Sequence, residues 1–191
     1  LSLSYKVVGN VRFYDRKEIK DILAYLNYLI NPEDTVSFER ILNVPKRGIG
    51  ESTLQKLRDY ANKNEISLSK SIENLDVINN LSDRVKKQIN NFKEIINELK
   101  SFALQGPSVT ITKTLELTGY KDELVKEGTL DSQMRLENLD ELLTSAFEFE
   151  NLYDEDIEDP FTILRDYLES IALFTDSDDV DKEDRILLMT L

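Results

Sequence analysis

The most chemically pointed stretch of this 191-residue chain is Lys46-Arg47-Gly48-Ile49-Gly50, closed by Thr53 and Leu54. Two glycines around one apolar residue let the backbone turn sharply. Amides at the start of a following helix can then face a phosphate, while Ile49 plugs the turn from beneath. Lys46, Arg47, Lys56 and Arg58 surround the turn with positive charge. An ordinary turn between two helices, with solvated basic side chains, accounts for the same residues, and the motif alone does not separate the two readings.

Other constellations carry less. With 0 Cys and 0 His, the chain has no thiolate or imidazole ligands, no cysteine nucleophile, no Ser-His-Asp triad and no disulfide. A metal would need carboxylates alone. The 37 Asp and Glu produce adjacent pairs by chance, such as Asp140/Glu141 and Asp178/Asp179. None lies on an apolar helix face where burial could shift its pKa, so no catalytic residue and no metal site is expected. The sequence contains no G-x-x-x-x-G-K-[ST] phosphate loop, and autonomous ATP hydrolysis has no support.

Charge narrows where a polyanion could bind. The formal net charge is -13 and the pI is near 4.5, which disfavours coating of nucleic acid or an anionic membrane by the mean field. Residues 1–60, however, hold 10 Lys and Arg against 8 Asp and Glu, a net of +2, leaving 14 against 29 and -15 for the rest. Nucleic-acid contact is therefore expected in the first third. No apolar run approaches the roughly 18 to 20 residues that span a bilayer, and no signal-peptide core opens the chain; the expected compartment is the cytoplasm.

The elements that must hold the turn read as helices. Ile19, Ile22, Leu23, Leu26, Leu29 and Ile30 keep a 3.6-residue period over Lys17 to Asn31, with Asp15 as cap and Pro32 just past the end. Thr35 can cap a short helix through Phe38, Ile41 and Leu42. Leu54, Leu57 and Ala61 follow the turn on one face of a second, giving helix, glycine turn, helix. Leu68, Ile72 and Leu75 suggest another, and Val85, Ile89, Phe92, Ile96, Leu99 and Ala103 define a long helix over Ser82 to Leu104. Gly106-Pro107 ends it. Two short helices are expected around Leu115 to Leu117 and Lys121 to Lys126. A helix capped by Asp131 then buries Leu136, Leu139, Leu142, Leu143, Ala146 and Phe147. An acidic loop over Asn151 to Pro160, a helix over Phe161 to Phe174 and an acidic run over Asp176 to Asp184 complete the pattern. Tyr5 to Phe13 and Arg185 to Leu191 read as single strands, so the expected class is all-α with short strands only at the two ends. Lone strands leave unpaired backbone groups, which suggests a piece of a larger protein.

The turn resembles the helix-hairpin-helix pattern apolar-Gly-apolar-Gly-x-x-Thr, with Arg47 at its first position, a pattern that grips duplex backbones without reading sequence. Beyond it, several segments resemble the UvrD/PcrA/Rep family of superfamily 1 DNA helicases across the whole chain. Val8-Gly9-Asn10-Val11-Arg12-Phe13-Tyr14-Asp15-Arg16-Lys17-Glu18-Ile19, continuing to Leu26, is similar to the family stretch leading out of the 2A motor subdomain. Asn31-Pro32-Glu33-Asp34, Arg40-Ile41-Leu42-Asn43-Val44-Pro45-Lys46-Arg47-Gly48-Ile49-Gly50 and Arg135-Leu136-Glu137-Asn138-Leu139-Asp140-Glu141-Leu142 resemble markers of the inserted 2B subdomain. Leu188-Met189-Thr190-Leu191 resembles the strand returning to 2A. Asn10 departs from the family's usual second glycine, a mild change because Asn tolerates the left-handed region.

The resemblance implies three parts: residues 1–31 from 2A, a helical 2B subdomain over 32–184, and a truncated 2A strand over 185–191. It implies a parent enzyme that uses ATP and Mg to translocate 3′ to 5′ and unwind DNA in repair or replication, with no cofactor in this fragment, which alone would be catalytically inactive. The partners implied are double-stranded DNA at a fork junction and the parent's other subdomains, with no membrane. Duplex contact falls to Lys46, Arg47, Gly48, Ile49, Gly50 and Thr53. Arg12, at the end of a motor-subdomain strand, is a candidate single-strand contact, though a solvent-facing cation explains it equally well. The alternative is an acidic helical protein-interaction module without direct DNA binding, its negative surface over residues 150–184.

Overall fold

The computed structural model describes residues 13–152 and 161–180. The strand expected at Arg185 to Leu191, all of the one at Tyr5 to Phe13 except Phe13, and Arg12 itself lie outside the described residues. Phe13 does not extend a strand: it opens a 3₁₀ turn, Phe13–Asp15, that leads into α1, Lys17–Ile30. Next come α2 (Thr35–Leu42), α3 (Glu51–Lys63), α4 (Leu68–Ser71) with a 3₁₀ turn at Ile72–Asn74, α5 (Asp83–Ala103), α6 (Pro107–Thr118), α7 (Tyr120–Glu127), α8 (Leu130–Glu150) and α9 (Thr162–Val180). Among the described residues the fold is all-α, as the periodicity predicts.

α1 is the central helix. It packs on α2, α5, α6, α8 and α9, and Ile19, Ile22, Tyr25 and Leu26 are fully buried. Even Glu18 and Asp21 lie inside, because each has partners: Asn138 Nδ2 donates to Glu18, and Arg40 Nε and the Tyr120 hydroxyl donate to Asp21 at 2.8 Å each. The Arg16 guanidinium also donates to Asn138 Oδ1, tying the start of α1 to α8. Buried polar groups persist where such bonds replace water.

Several boundaries differ from expectation for local reasons. Asp15 does not cap α1; the 3₁₀ turn puts Arg16 at the cap position, and Asp15 pairs with Lys20 at 2.7 Å. Asp34, not Thr35, caps α2 by accepting from Ser37 N at 3.1 Å. α8 starts at Leu130 under a capping box between Thr129 and Ser132, and Asp131 instead pairs with Arg135. Phe147 is 59% exposed and outside the α8 stripe, since Leu139, Leu142 and Ala146 take the inward face. α9 continues to Val180, past the predicted end at Phe174.

The largest correction is α6, which starts at Pro107 and runs 12 residues where a short helix around Leu115 was expected. Proline is tolerated at the first helical position. The β-branched threonines then satisfy themselves along the helix: Thr110, Thr114 and Thr118 each donate a hydroxyl proton to the carbonyl four residues back, at 2.6, 2.7 and 2.5 Å. Gly106 ahead of them has φ +106°, and a Cβ there would lie 2.5 Å from Glu150 Oε1. That carboxylate accepts from Ser108 N at 2.7 Å and from Ser108 Oγ at 2.5 Å. Gly106→Ala is therefore expected to lower stability by about 1–3 kcal/mol. Urea unfolding of the protein checks this, and a wild-type midpoint would mean Glu150 moves aside at no cost.

Candidate nucleic-acid interface

The turn sits between α2 and α3, and its shape is set from inside the protein. Asn43, at the end of α2, accepts with one carboxamide oxygen from two turn amides, Arg47 N at 2.8 Å and Ile49 N at 3.1 Å. Those amides are committed inward. The amides of Gly48 and Gly50 alternate with them and meet no acceptor among the described residues. Gly50 then heads α3 without a side-chain cap. Unpaired amides at a helix N-terminus form the positive end of the helix dipole.

The two glycines serve different needs. Gly48 has φ +75°, the left-handed region that favours glycine. Gly50 is extended, φ -87° and ψ 174°, and a Cβ there would meet nothing within 4 Å. Nothing inside the protein therefore requires glycine at this position. Ile49 is buried beneath the turn, and Thr53 is buried in the first turn of α3.

The four cations fare unequally. Lys46 is exposed and meets no carboxylate within ion-pair distance among the described residues. Arg47 turns inward: its NH1 donates to the carbonyls of Ile41 and Val44 at 3.0 Å each, its NH2 donates to the Tyr25 hydroxyl at 2.7 Å, and its Cζ stands 5.3 Å from the Phe92 ring centroid. The Tyr25 hydroxyl in turn donates to Val44 O. Burial pushes the Tyr25 phenol up to about 12, against the Arg47 charge, so it keeps the proton it donates. Arg47 thus satisfies carbonyls at the C-terminal end of α2 while staying half-buried at the surface.

Arg58 is engaged as well. It forks onto Glu39 through Nε and NH2 at 2.9 and 2.8 Å and reaches Glu51 through NH1 at 2.7 Å. The Arg58 hydrogen bonds hold the Glu39 carboxyl below its ordinary range. Lys56 donates to the Asn80 carbonyl at 2.7 Å. Of the positive ring read from sequence, Lys46 alone has no protein partner among the described residues. It borders a cleft of about 200 Å³ whose other wall includes Asp21, Tyr120, Glu123 and Arg135. Sequence reasoning missed Asn43, Tyr25 and this cleft; an Asn directly after a predicted helix was the one available signal, since such residues bond turn amides.

Among the described residues the chain is thus a helical body that presents a glycine turn between α2 and α3, with the exposed Lys46 beside it. The chain belongs to the UvrD-like helicase C-terminal domain family, which matches residues 1–191. It is 36% identical over 197 residues to the ATP-dependent DNA helicase PcrA of Leuconostoc citreum, covering 100% of this chain and 26% of that protein. It is 37% identical over 191 residues to the ATP-dependent DNA helicase PcrA of Staphylococcus aureus and of Staphylococcus epidermidis, with the same coverage. The chain thus spans about a quarter of the length of the curated relatives it matches. Among the described residues, no helix is long and apolar enough to cross a membrane.

Proposed function

We propose that this chain is the duplex-contacting and regulatory 2B-type part of an ATP-dependent 3′ to 5′ DNA helicase acting in repair or replication, with residues at both ends continuing into the 2A motor subdomain. Family membership and relatives named as ATP-dependent DNA helicases support the parent activity. The observation that carries the role of this part is the turn: the amides of Gly48 and Gly50 and the ammonium of Lys46 meet no partner among the described residues. In this reading Lys46 and those amides meet phosphate, while Arg47, Ile49 and Thr53 hold the turn in shape. Because α1 lies inside the same core, any swivelling of the domain would carry α1 with it. The residues here do not fit ATP and Mg, since the sequence has no glycine-rich phosphate loop; those are assigned to other segments of the parent, and no hydrolytic step is derived for this chain.

Lys46→Ala in the intact helicase is expected to weaken duplex binding uniformly across sequences and to lower the salt slope by about 0.9, one phosphate contact. Affinity would fall by up to about tenfold near 0.1 M salt, with helicity by circular dichroism unchanged. Wild-type affinity and slope would reject the turn as a DNA contact and favour the acidic protein-interaction alternative.

A further inference from the structure

We propose that a cleft at the far end of α3 is a second phosphate-binding subsite, taking the backbone of the same duplex that meets the Lys46–Gly50 turn; the proposal rests on that reading of the turn. The cleft encloses about 310 Å³ and is lined by Lys56, Asp59, Tyr60, Lys63, Asn64 and Asn79, with Val77 and Ile78 as its apolar side. Lys56, Tyr60 and Lys63 are spaced by four and three residues, so they share one face of α3. At 1.5 Å per residue Lys56, the near lysine of the cleft, lies about 9 Å along α3 from Gly50, and Lys63, 13 residues on, about 20 Å. That is about six base pairs of duplex at 3.4 Å each.

The chemistry of the lining favours an anion. Two ammonium groups, a phenol and two carboxamides face a single carboxylate. Lys63 is exposed and meets no carboxylate within ion-pair distance among the described residues. Lys56 gives one of its three protons to the Asn80 carbonyl at 2.7 Å, which anchors the ammonium and leaves two protons for a ligand. Asn64 is likewise held, donating to Tyr60 O at 2.8 Å. Asp59 is the opposing charge, and its Oδ1 accepts from Gln55 Nε2 at 2.8 Å. Two positive charges against one form a local exception in a chain of net charge -13. They lie on α3, the helix that the turn opens.

The test uses the intact helicase and two DNAs, a 20-base-pair duplex and a four-base-pair stem closed by a loop. On the long duplex, Lys63→Ala should lower the salt slope by about 0.9, and the Lys56→Ala/Lys63→Ala double variant by about 1.8. Lys63→Arg should retain the slope. Asp59→Asn, which keeps an acceptor for Gln55, should raise affinity several-fold, a gain that a merely structural role would not produce. On the short stem Lys46→Ala should matter and Lys63→Ala should not. Wild-type binding by Lys63→Ala and Asp59→Asn, with Lys46→Ala still weakened, would overturn the second subsite and leave the turn standing. An equal response of both DNAs to Lys63→Ala would also overturn it. Wild-type binding by all three variants would remove the turn reading and this proposal together.

Discussion

Arg47→Ala is expected to destabilise the protein by about 2–4 kcal/mol, because one guanidinium serves the end of α2, the turn and the core together. Removing it takes the guanidinium donor from the Ile41 and Val44 carbonyls and deprives the Tyr25 hydroxyl of a partner, in a place where Tyr25 is fully buried. It also removes the cation from the Phe92 face. For a domain of this size the loss corresponds to about 10 °C in melting temperature. Arg47→Lys should recover only part of it, since an ammonium cannot fork across several carbonyls and a hydroxyl. Tyr25→Phe should cost less, about 1–2 kcal/mol, and the two changes should be non-additive because they share a partner. Duplex affinity should fall in Arg47→Ala through the misplaced turn, with the salt slope of the folded fraction unchanged. A wild-type melting temperature combined with a lowered slope would reverse the assignment and make Arg47 a phosphate contact.

The contrast between Lys46 and Arg47 marks where sequence reading stopped. Both were legible as cations beside a glycine turn, and the turn's two flanking helices followed from Phe38, Ile41 and Leu42 on one side and Leu57 and Ala61 on the other. The destination of each side chain was not legible. Arg47 finds a hydroxyl 22 residues back, and Arg58 a carboxylate 19 residues back. Such partners are fixed by how α1, α2 and α3 pack, which spacing along one helix does not encode. The same holds for α6, where Val109, Thr110, Ile111, Thr112 and Thr114 carry β-type propensity. Burial and hydroxyl bonds to carbonyls one turn back override it. Caps were misplaced by one or two residues because Asp, Thr and Ser compete at adjacent positions, and only the backbone conformation selects among them.

Asp21→Ala is expected to have the other large effect on folding, about 3 kcal/mol, because it strands partners drawn from two other helices. Asp21 is 2% exposed in the middle of α1; Arg40 reaches it from α2 and Tyr120 from α7. Loss of the carboxylate leaves the buried Tyr120 hydroxyl without an acceptor and the Arg40 guanidinium without its charge partner. Removing one member of a buried pair usually costs about 3–5 kcal/mol. The lower end applies here because the Arg40 side chain is 35% exposed and water can take over part of its bonding. Tyr120 remains a donor throughout: burial, followed by the Asp21 charge, pushes its phenol well above the ordinary tyrosine range. Asp21→Asn keeps an acceptor and should cost roughly half as much, while Tyr120→Phe should cost about 1–2 kcal/mol by leaving Asp21 with Arg40 alone. Asp21 also borders the cleft beside Lys46, so its loss should loosen α7 against the turn and raise amide hydrogen exchange in both segments. Urea unfolding and exchange of the three variants decide the matter. If Asp21→Ala unfolds at the wild-type midpoint, this buried network contributes nothing net, and the apolar contacts of α1 alone hold α2 and α7 in place.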